Sequence, residues 1–438
     1  MEALQGIAIE AGASAPAAEA PAATVVVVGL GYVGLPTSLA LAHAGFGVVG
    51  LDVSESRLDH IRAGSVDLLP EDHKRLETAL ANPHVVLTSN ARSLSAADVV
   101  LICVPTPVDE DQRPDLTPLR AACASVVSSA RAGQIIVLTS TSHVGATREL
   151  LVEPLNRRGL VAGRNINVAF SPERIDPGNS EHAQHTVPRV LGGATEACTQ
   201  AALPVISEIT TSVVVVSSPE AAELAKLYEN TFRAVNIALA NELADVAQAH
   251  ELDAVEVLDA ASTKPYGYMR FHPGPGVGGH CIPCDPHYLL EPLDSLGARA
   301  PIVRESMRAL HERPDRVVRR AVSLLSADGI EVSEARVLVV GLAYKPGVAD
   351  LRGSPACEVL RGLHALGAHV QYHDPQVRSF DVDASVSTMS VRAPDPSVYD
   401  LVIVAVIHPG EDLTWLDECE RVLDCTYRTA RGRTRHLI

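Results

Sequence analysis

The chain has 438 residues, 47% of them hydrophobic and 3% aromatic, and a formal net charge of −17. That length accommodates two or three domains, and apolar mass drawn from Ala, Val and Leu suits parallel strands covered by helices. The acidic balance argues against a general nucleic-acid binder or a protein drawn to anionic membranes, and no apolar run approaches the roughly 20 residues of a membrane helix.

Residues 1–23, "MEALQGIAIEAGASAPAAEAPAA", are acidic and rich in Ala and Pro. They lack the basic start and apolar core of a signal peptide and are expected to form a disordered tail. Eight cysteines without an export signal read as thiols of a reducing cytoplasm.

Order is expected from Thr24. "TVVVVGLGYVGLPTSLALAHAGFGVVGLD" gives a buried strand over Thr24–Val28, a G-x-G-x-x-G turn at Gly29, Gly31 and Gly34, a helical pattern through Ala44, and a second strand closing on Asp52. Strand, glycine turn, helix and terminal acid in that order form a dinucleotide-binding β-α-β unit. Gly29 permits the tight turn, Gly31 lets backbone approach a pyrophosphate, and Gly34 lets helix and strand pack closely. Tyr32 and Val33 share that loop, so all five residues are candidate cofactor contacts. Asp52 would accept hydrogen bonds from ribose hydroxyls and repel a 2′-phosphate, which favours NAD over NADP.

Further strands are expected within residues 84–89, 98–105, 134–140, 166–172 and 211–218, most of them separated by helical stretches. This alternation predicts a doubly wound parallel sheet, with ligands at the carboxyl ends of its strands. Thr106, Thr141 and Glu173 fall at such ends. Ser218 and Pro219 then mark the start of a helix with no breaker until about His250. At about 1.5 Å per residue it would span roughly 45 Å, as a spine between domains or a dimer face. Lys226 and Asn230, four apart, project from one side of it.

A second strand-helix-strand unit begins at Ala335, with a helix opening at Ser354–Pro355 and a strand ending at Asp374. Its glycine fingerprint is incomplete, since Gly341 alone remains in "GLAYKP". A second dinucleotide is therefore not expected. A nucleotide or sugar-nucleotide fits better, with Lys345 and Arg352 as anion-binding candidates. The expected divisions are 24–218 for the cofactor domain, 219–330 for a central helical domain, and 331–438 for the C-terminal domain.

Between the spine and that last unit lies "HPGPGVGGHCIPCDPHYLL". His280, Cys281, Cys284 and His287 are zinc-ligand types, but crowd into eight residues, whereas structural sites usually pair two distant couples. A thioredoxin-like pair would need C-x-x-C opening a helix, and here Pro283 interrupts it and a glycine-rich loop precedes it. A single reactive thiol fits best, with "PGPGVGG" delivering Cys281 to a cleft between two nucleotide-binding lobes. No metal is assigned.

These segments together resemble the UDP-glucose/GDP-mannose dehydrogenase family, carried by "VVGLGYVGLP", "VPTP", "STSHVGAT", "SPERIDPGN", "AKLYENTFRAVNIALANELA", "PGPGVGGHCIPCDP" and "AYKPGVADLRGSPA". The resemblance implies two Rossmann-like doubly wound domains joined by a long dimer-forming helix, with NAD as cofactor and a homodimer or larger homo-oligomer as the working unit. It implies oxidation of a nucleotide-sugar C6 hydroxyl to the carboxylate through a thiohemiacetal and a thioester on Cys281. Lys226 and Asn230 would stabilise the oxyanion, while Asp285, Glu173 and Thr141 would handle water. Substrate contacts would include Arg174, Lys264 and Gly278 besides Glu173, Lys226, Asn230, Lys345 and Arg352. The cysteine loop is similar to the branch acting on UDP-N-acetylhexosamines, UDP-N-acetylglucosamine above all; UDP-glucose or dTDP-glucose is the runner-up. A non-catalytic NAD sensor would not need the cysteine, lysine and aspartate together. Three positions depart from the family pattern: His143, near the presumed pocket, Gly353 and Cys284.

Overall fold

The computed structural model describes residues 21, 23–66, 68, 70–109, 112–174, 184–293, 295–429 and 435–438. The expected tail, apart from Pro21 and Ala23, and the IDPGN part of the SPERIDPGN motif lie outside the described residues.

In the N-terminal half the strands are β1 (Thr24–Val28), β2 (Gly47–Leu51), β3 (Val85–Thr88), β4 (Val99–Ile102), β5 (Ile135–Leu138), β6 (Asn167–Phe170), β7 (Arg189–Gly193) and β8 (Val213–Val216). They form one sheet in the order β3-β2-β1-β4-β5-β6-β7-β8. Around it run α1 (Gly34–His43), α2 (Glu55–Arg62), α3 (Pro70–Leu80), α4 (Thr117–Ser129), α5 (Glu153–Arg157) and α6 (Glu196–Ser207). The unbroken valine run of β1 exists because both sheet faces are covered. Val25, Val26 and Val27 are all fully buried, each contributing roughly 1.5–3 kcal/mol.

The expectation of a wholly parallel sheet needs one correction. β7 is additional to the expected strands and pairs antiparallel with β6, Ala169 opposite Gly193 and Phe170 opposite Gly192. β8 then runs parallel to β7. A Cβ on Gly192 would lie 2.1 Å from the Ser218 carbonyl oxygen, so glycine there lets the start of the next helix press onto the sheet. The reversal returns Arg189, the first residue of β7, to the carboxyl edge where β6 ends.

The spine is α7 (Pro219–Ala249), 31 residues long. Ser218 caps it by accepting from the Ala221 N–H at 3.2 Å. Small residues line its buried side, among them Ala222, Ala234, Ala238 and Ala244, which lets α9 (Asp285–Leu290) and α10 (Pro301–His311) approach closely. α8 (Ala254–Ser262) lies between α7 and the cysteine loop in sequence.

The C-terminal half contains β9 (Arg336–Val340), β10 (His369–His373), β11 (Ser379–Asp381), β12 (Ser387–Met389), β13 (Leu401–Val404), β14 (Val422–Asp424) and β15 (Arg435–Leu437). Five of these make a parallel sheet, β10-β9-β13-β14-β15, and β11 and β12 form a hairpin. α11 (Arg313–Ala327) and α12 (Pro355–Ala365) cover it. Val317, Ala321 and Leu325 of α11 share a core with Val337, Leu401 and Leu423, so packing assigns α11 to this half, ahead of residue 331.

This half repeats the design of the first. Gly29 and Gly341 both have positive φ, +89° and +79°, and each donates to the strand alongside, Leu51 O and His373 O, at 2.8 Å. The two differ at the acid. Asp52 is half-buried, whereas Asp374 is buried, accepts from the Leu342 and Ala343 N–H groups, and is covered by His408 at 3.2 Å. Asp374 is therefore not open to ribose hydroxyls as Asp52 is.

Candidate active site

The glycine turn has the shape that its three roles demand. A Cβ on Gly29 would sit 2.9 Å from Cys103 O, and one on Gly34 would sit 1.8 Å from Gly29 O. Beyond Gly31 nothing lies within 4 Å of such an atom, leaving backbone open to a pyrophosphate. Tyr32 is exposed, and Val33 immediately precedes α1. Asp52 accepts from Leu30 N at 2.8 Å and from Ser54 N at 2.9 Å. Each bond occupies one carboxylate oxygen and leaves lone pairs for ribose hydroxyls. These residues fit a dinucleotide. Thr106 is buried near Tyr288, whose hydroxyl donates to Pro107 O at 3.1 Å.

α7 enters from the opposite end of the sheet and carries its polar residues to the carboxyl edge. Lys226 is buried. One turn later, Asn230 Nδ2 donates to Asp285 Oδ2 at 2.5 Å. Asp285 opens α9, and its own N–H donates to Cys281 O at 2.8 Å, which fixes the cysteine loop to this acid. Burial pushes the Asp285 carboxyl up to about 6, opposed by the charge of Lys226 and the Asn230 bond. Lys226, Asn230, Asp285 and Cys281 are thus brought together.

Glu173 is buried at the end of the β6 segment and forms an ion pair with Arg189, while its other oxygen accepts from Arg174 N at 2.8 Å. Arg174 forms a two-pronged pair with Glu229 of α7, at 3.0 and 2.7 Å. Thr141 follows β5 at the same edge. Its loop is fastened to the helix by Glu223, which accepts from Gly145 N at 2.6 Å and from Thr147 N and Oγ1 at 2.8 and 2.6 Å. Arg189 and Glu223 are positioning groups outside the sequence reading. Glu223 shares a helical face with Lys226 and Asn230, so periodicity contained a signal for it. Arg189 is brought in by the unanticipated antiparallel strand and had none.

The glycine-rich loop is a fitted surface. Cβ atoms on Gly278 and Gly279 would lie 2.7 and 2.8 Å from Tyr344, and Gly279 N donates to Arg352 O at 2.8 Å. Arg352, expected with Lys345 as an anion ligand of the second half, stacks on the Tyr32 ring at 4.5 Å and pairs with Asp350 at 2.6 Å. It therefore faces the cofactor turn. Lys345 lies 5.9 Å from the Tyr344 ring, and Lys264 is exposed with its ammonium 5.2 Å from the Tyr266 ring. His143 pairs with Glu149 at 3.0 Å, and Gly353 takes a positive φ of +57°.

Cys281 is exposed and Cys284 buried. Among the described residues no group of three or more His, Cys, Asp and Glu could hold a metal ion. Charge effects place His280 near Arg352, Asp350 and Lys226, and His287 near His311, so the two imidazoles face different surroundings. One expectation is corrected: the C-x-x-C turn does open a helix, α9, with Pro283 accommodated in the turn before it.

The sequence matches three successive family models of the UDP-glucose/GDP-mannose dehydrogenase family: its NAD binding domain over residues 23–210, its central domain over 220–309 and its UDP binding domain over 338–421. It is 36% identical to a UDP-N-acetyl-D-glucosamine 6-dehydrogenase of Pseudomonas aeruginosa, covering 91% of this chain and 95% of that one. It is 34% identical to a UDP-N-acetyl-D-mannosamine dehydrogenase of Pyrococcus horikoshii, over 88% and 89% of the two chains. Among solved structures, a UDP-D-ManNAc dehydrogenase from Pyrococcus horikoshii superposes with a TM-score of 0.84 at 29% identity, covering 94% of this chain and 98% of that one.

Proposed function

This chain belongs to the UDP-glucose/GDP-mannose dehydrogenase family as an NAD-dependent nucleotide-sugar 6-dehydrogenase, and we propose that it oxidises the C6 hydroxyl of a UDP-N-acetylhexosamine, UDP-N-acetylglucosamine foremost, to the carboxylate. The observation that supports the chemistry is the meeting of Lys226, Asn230 and Asp285 beneath an exposed Cys281.

Gly29, Gly31, Gly34 and Asp52 would hold NAD, with Arg352 and Tyr32 beside the turn, and the bound cofactor would supply the hydride acceptor for both oxidations. Asp285, its carboxyl raised towards neutrality by burial, receives the C6 hydroxyl proton through a water shared with Thr141. The Cys281 sulfur adds to the resulting aldehyde, giving a thiohemiacetal that keeps the sugar attached. The alkoxide takes hydrogen bonds from the Lys226 ammonium and from the Asn230 N–H not spent on Asp285. After the second oxidation the sugar is a thioester. Water steered by Asp285, Lys226 and Glu173, itself anchored by Arg189, hydrolyses it and frees the thiol. Both hydrides leave one carbon, so the residues that hold the sugar would have to keep it in place while the cofactor is exchanged, and Arg352 and Tyr32 stand beside the glycine turn where that exchange would occur.

Loop composition supports the N-acetylhexosamine branch, and similar proteins include both glucosamine and mannosamine dehydrogenases. UDP-glucose or dTDP-glucose is the second reading. The test is NADH absorbance across a UDP-sugar panel. With dTDP-glucose added to the panel, UDP-N-acetylglucosamine should yield two NADH per sugar consumed; turnover of UDP-glucose or dTDP-glucose alone would select the second reading, and no turnover with any of these nucleotide-sugars would refute both.

We further place the dimer contact on α7, whose Leu224, Tyr228, Leu239 and Val246 are exposed, an apolar stripe that a second copy would cover. Light scattering of the purified chain should give twice the monomer mass. No helix among the described residues is long and apolar enough to cross a membrane, and eight cysteines without a described disulfide suit the reducing cytoplasm.

A further inference from the structure

The segment from Cys281 to Cys284 is a closed turn. Cys284 N donates to Cys281 O at 3.2 Å, and Asp285 N donates to the same oxygen at 2.8 Å. A turn of this kind keeps its end Cα atoms within about 7 Å, and disulfides span Cα separations of about 4.4–6.8 Å. The two thiols are unlike. Cys281 is exposed, whereas Cys284 is buried, and burial together with the charges of Asp285 and Cys281 pushes its thiol up to about 12. The remaining six cysteines are all buried: Cys103, Cys123, Cys357, Cys419 and Cys425 are built into the sheet cores, and Cys198 lies on α6. An outer thiol at the head of a turn, a proline, and an inner thiol at the mouth of a helix form the layout of a dithiol pair.

We propose that Cys284 is a resolving thiol for Cys281, so that oxidation by a peroxide closes a Cys281–Cys284 disulfide and switches the enzyme off reversibly. This rests on reading Cys281 as the reactive thiol. The Cys281 thiolate attacks one peroxide oxygen; an S–O bond forms, the O–O bond breaks, and the departing hydroxide leaves as water. The Cys284 sulfur then attacks the sulfenic sulfur; an S–S bond forms, the S–O bond breaks, and the Cys284 proton leaves with the hydroxyl as a second water. Two thiols lose two electrons and the peroxide gains them. Without Cys284 the sulfenic acid stays open to further, irreversible oxidation.

The experiment treats the full chain with hydrogen peroxide and reads intact mass, peptide maps and activity before and after dithiothreitol. Wild type should become two hydrogens lighter, with positions 281 and 284 linked in one peptide, and should regain its activity on reduction. Cys284→Ser and Cys284→Val should start near wild-type activity, gain oxygen atoms at Cys281, and fall at least ~10-fold in recoverable activity. The idea is overturned if wild type gains oxygen at Cys281 as fast as Cys284→Val does, or links Cys281 to a different cysteine. The mass readout needs no sugar, so a chain that closes the disulfide yet oxidises no UDP-sugar would refute the proposed function and leave the resolving role of Cys284 standing.

Discussion

Arg189 is sealed against Glu173: the guanidinium is 2% exposed, and the carboxylate it grips is 8% exposed. A buried pair of this kind is costly to break from one side, because the remaining charge stays in a poor solvent. Arg189→Met should therefore lower stability by about 3–5 kcal/mol, read as a shift in urea midpoint. The double variant Arg189→Met/Glu173→Gln leaves no lone charge and should recover a large part of that loss, but not the activity. Equal losses in the single and double variants would show that the two are not energetically coupled.

Asp285 predicts a pH signature. Burial raises its carboxyl from 3.8 to about 6. The folded chain thus holds a proton that the unfolded chain has released, and the stability this confers is full below about pH 4 and lost as pH rises through about 6. Asp285→Asn cannot ionise, so its stability relative to wild type should improve by about 2–3 kcal/mol between about pH 4 and pH 8. Chemical unfolding at both pH values checks this, and a difference that does not change with pH would contradict the assigned cause. Turnover should fall on the acid side near pH 6, and Asp285→Asn should lower kcat by ~10²–10⁴.

Asp52 links cofactor choice to the shape of the turn. Asp52→Ala removes the acceptor for Leu30 N as well as the ribose contact, so the KM for NAD should rise and the preference over NADP should shrink. Asp52→Asn retains an acceptor and should keep the fold's stability while losing the discrimination. Steady-state kinetics with both cofactors decides it; an unchanged NAD/NADP ratio in either variant would remove Asp52 from this role.

Gly278 tests the loop fit. Alanine there would put a Cβ 2.7 Å from both Gly353 O and the Tyr344 Cβ, so the loop must shift away from the C-terminal half. Gly278→Ala should lower kcat/KM for the UDP-sugar far more than it lowers the melting temperature. Parallel kinetics and thermal unfolding separate the two effects.

The sequence made the local features legible. The glycine turn, the buried valine strands and the Ser218–Pro219 helix start each need a few consecutive residues and a known backbone geometry, and each appears where it was expected. Helical spacing put Lys226 and Asn230 on one face, and the family resemblance supplied their role. What escaped depends on distant partners. β7 is five residues with two glycines, too short for a periodicity signal, so Arg189 and the sheet reversal escaped with it. α9 has six residues, so the helix after the C-x-x-C pair left no pattern. The contact of Arg352 with the Tyr32 ring left no local signal, because the two residues lie 320 positions apart in the chain.

The most direct test of the whole account is the mass of the Cys281 peptide after acid quench during turnover with UDP-N-acetylglucosamine and NAD. The account predicts a fraction of that peptide carrying the sugar-nucleotide as a thioester, and none on Cys284. Free aldehyde released as the product, with no adduct on Cys281 at any time point, would contradict it.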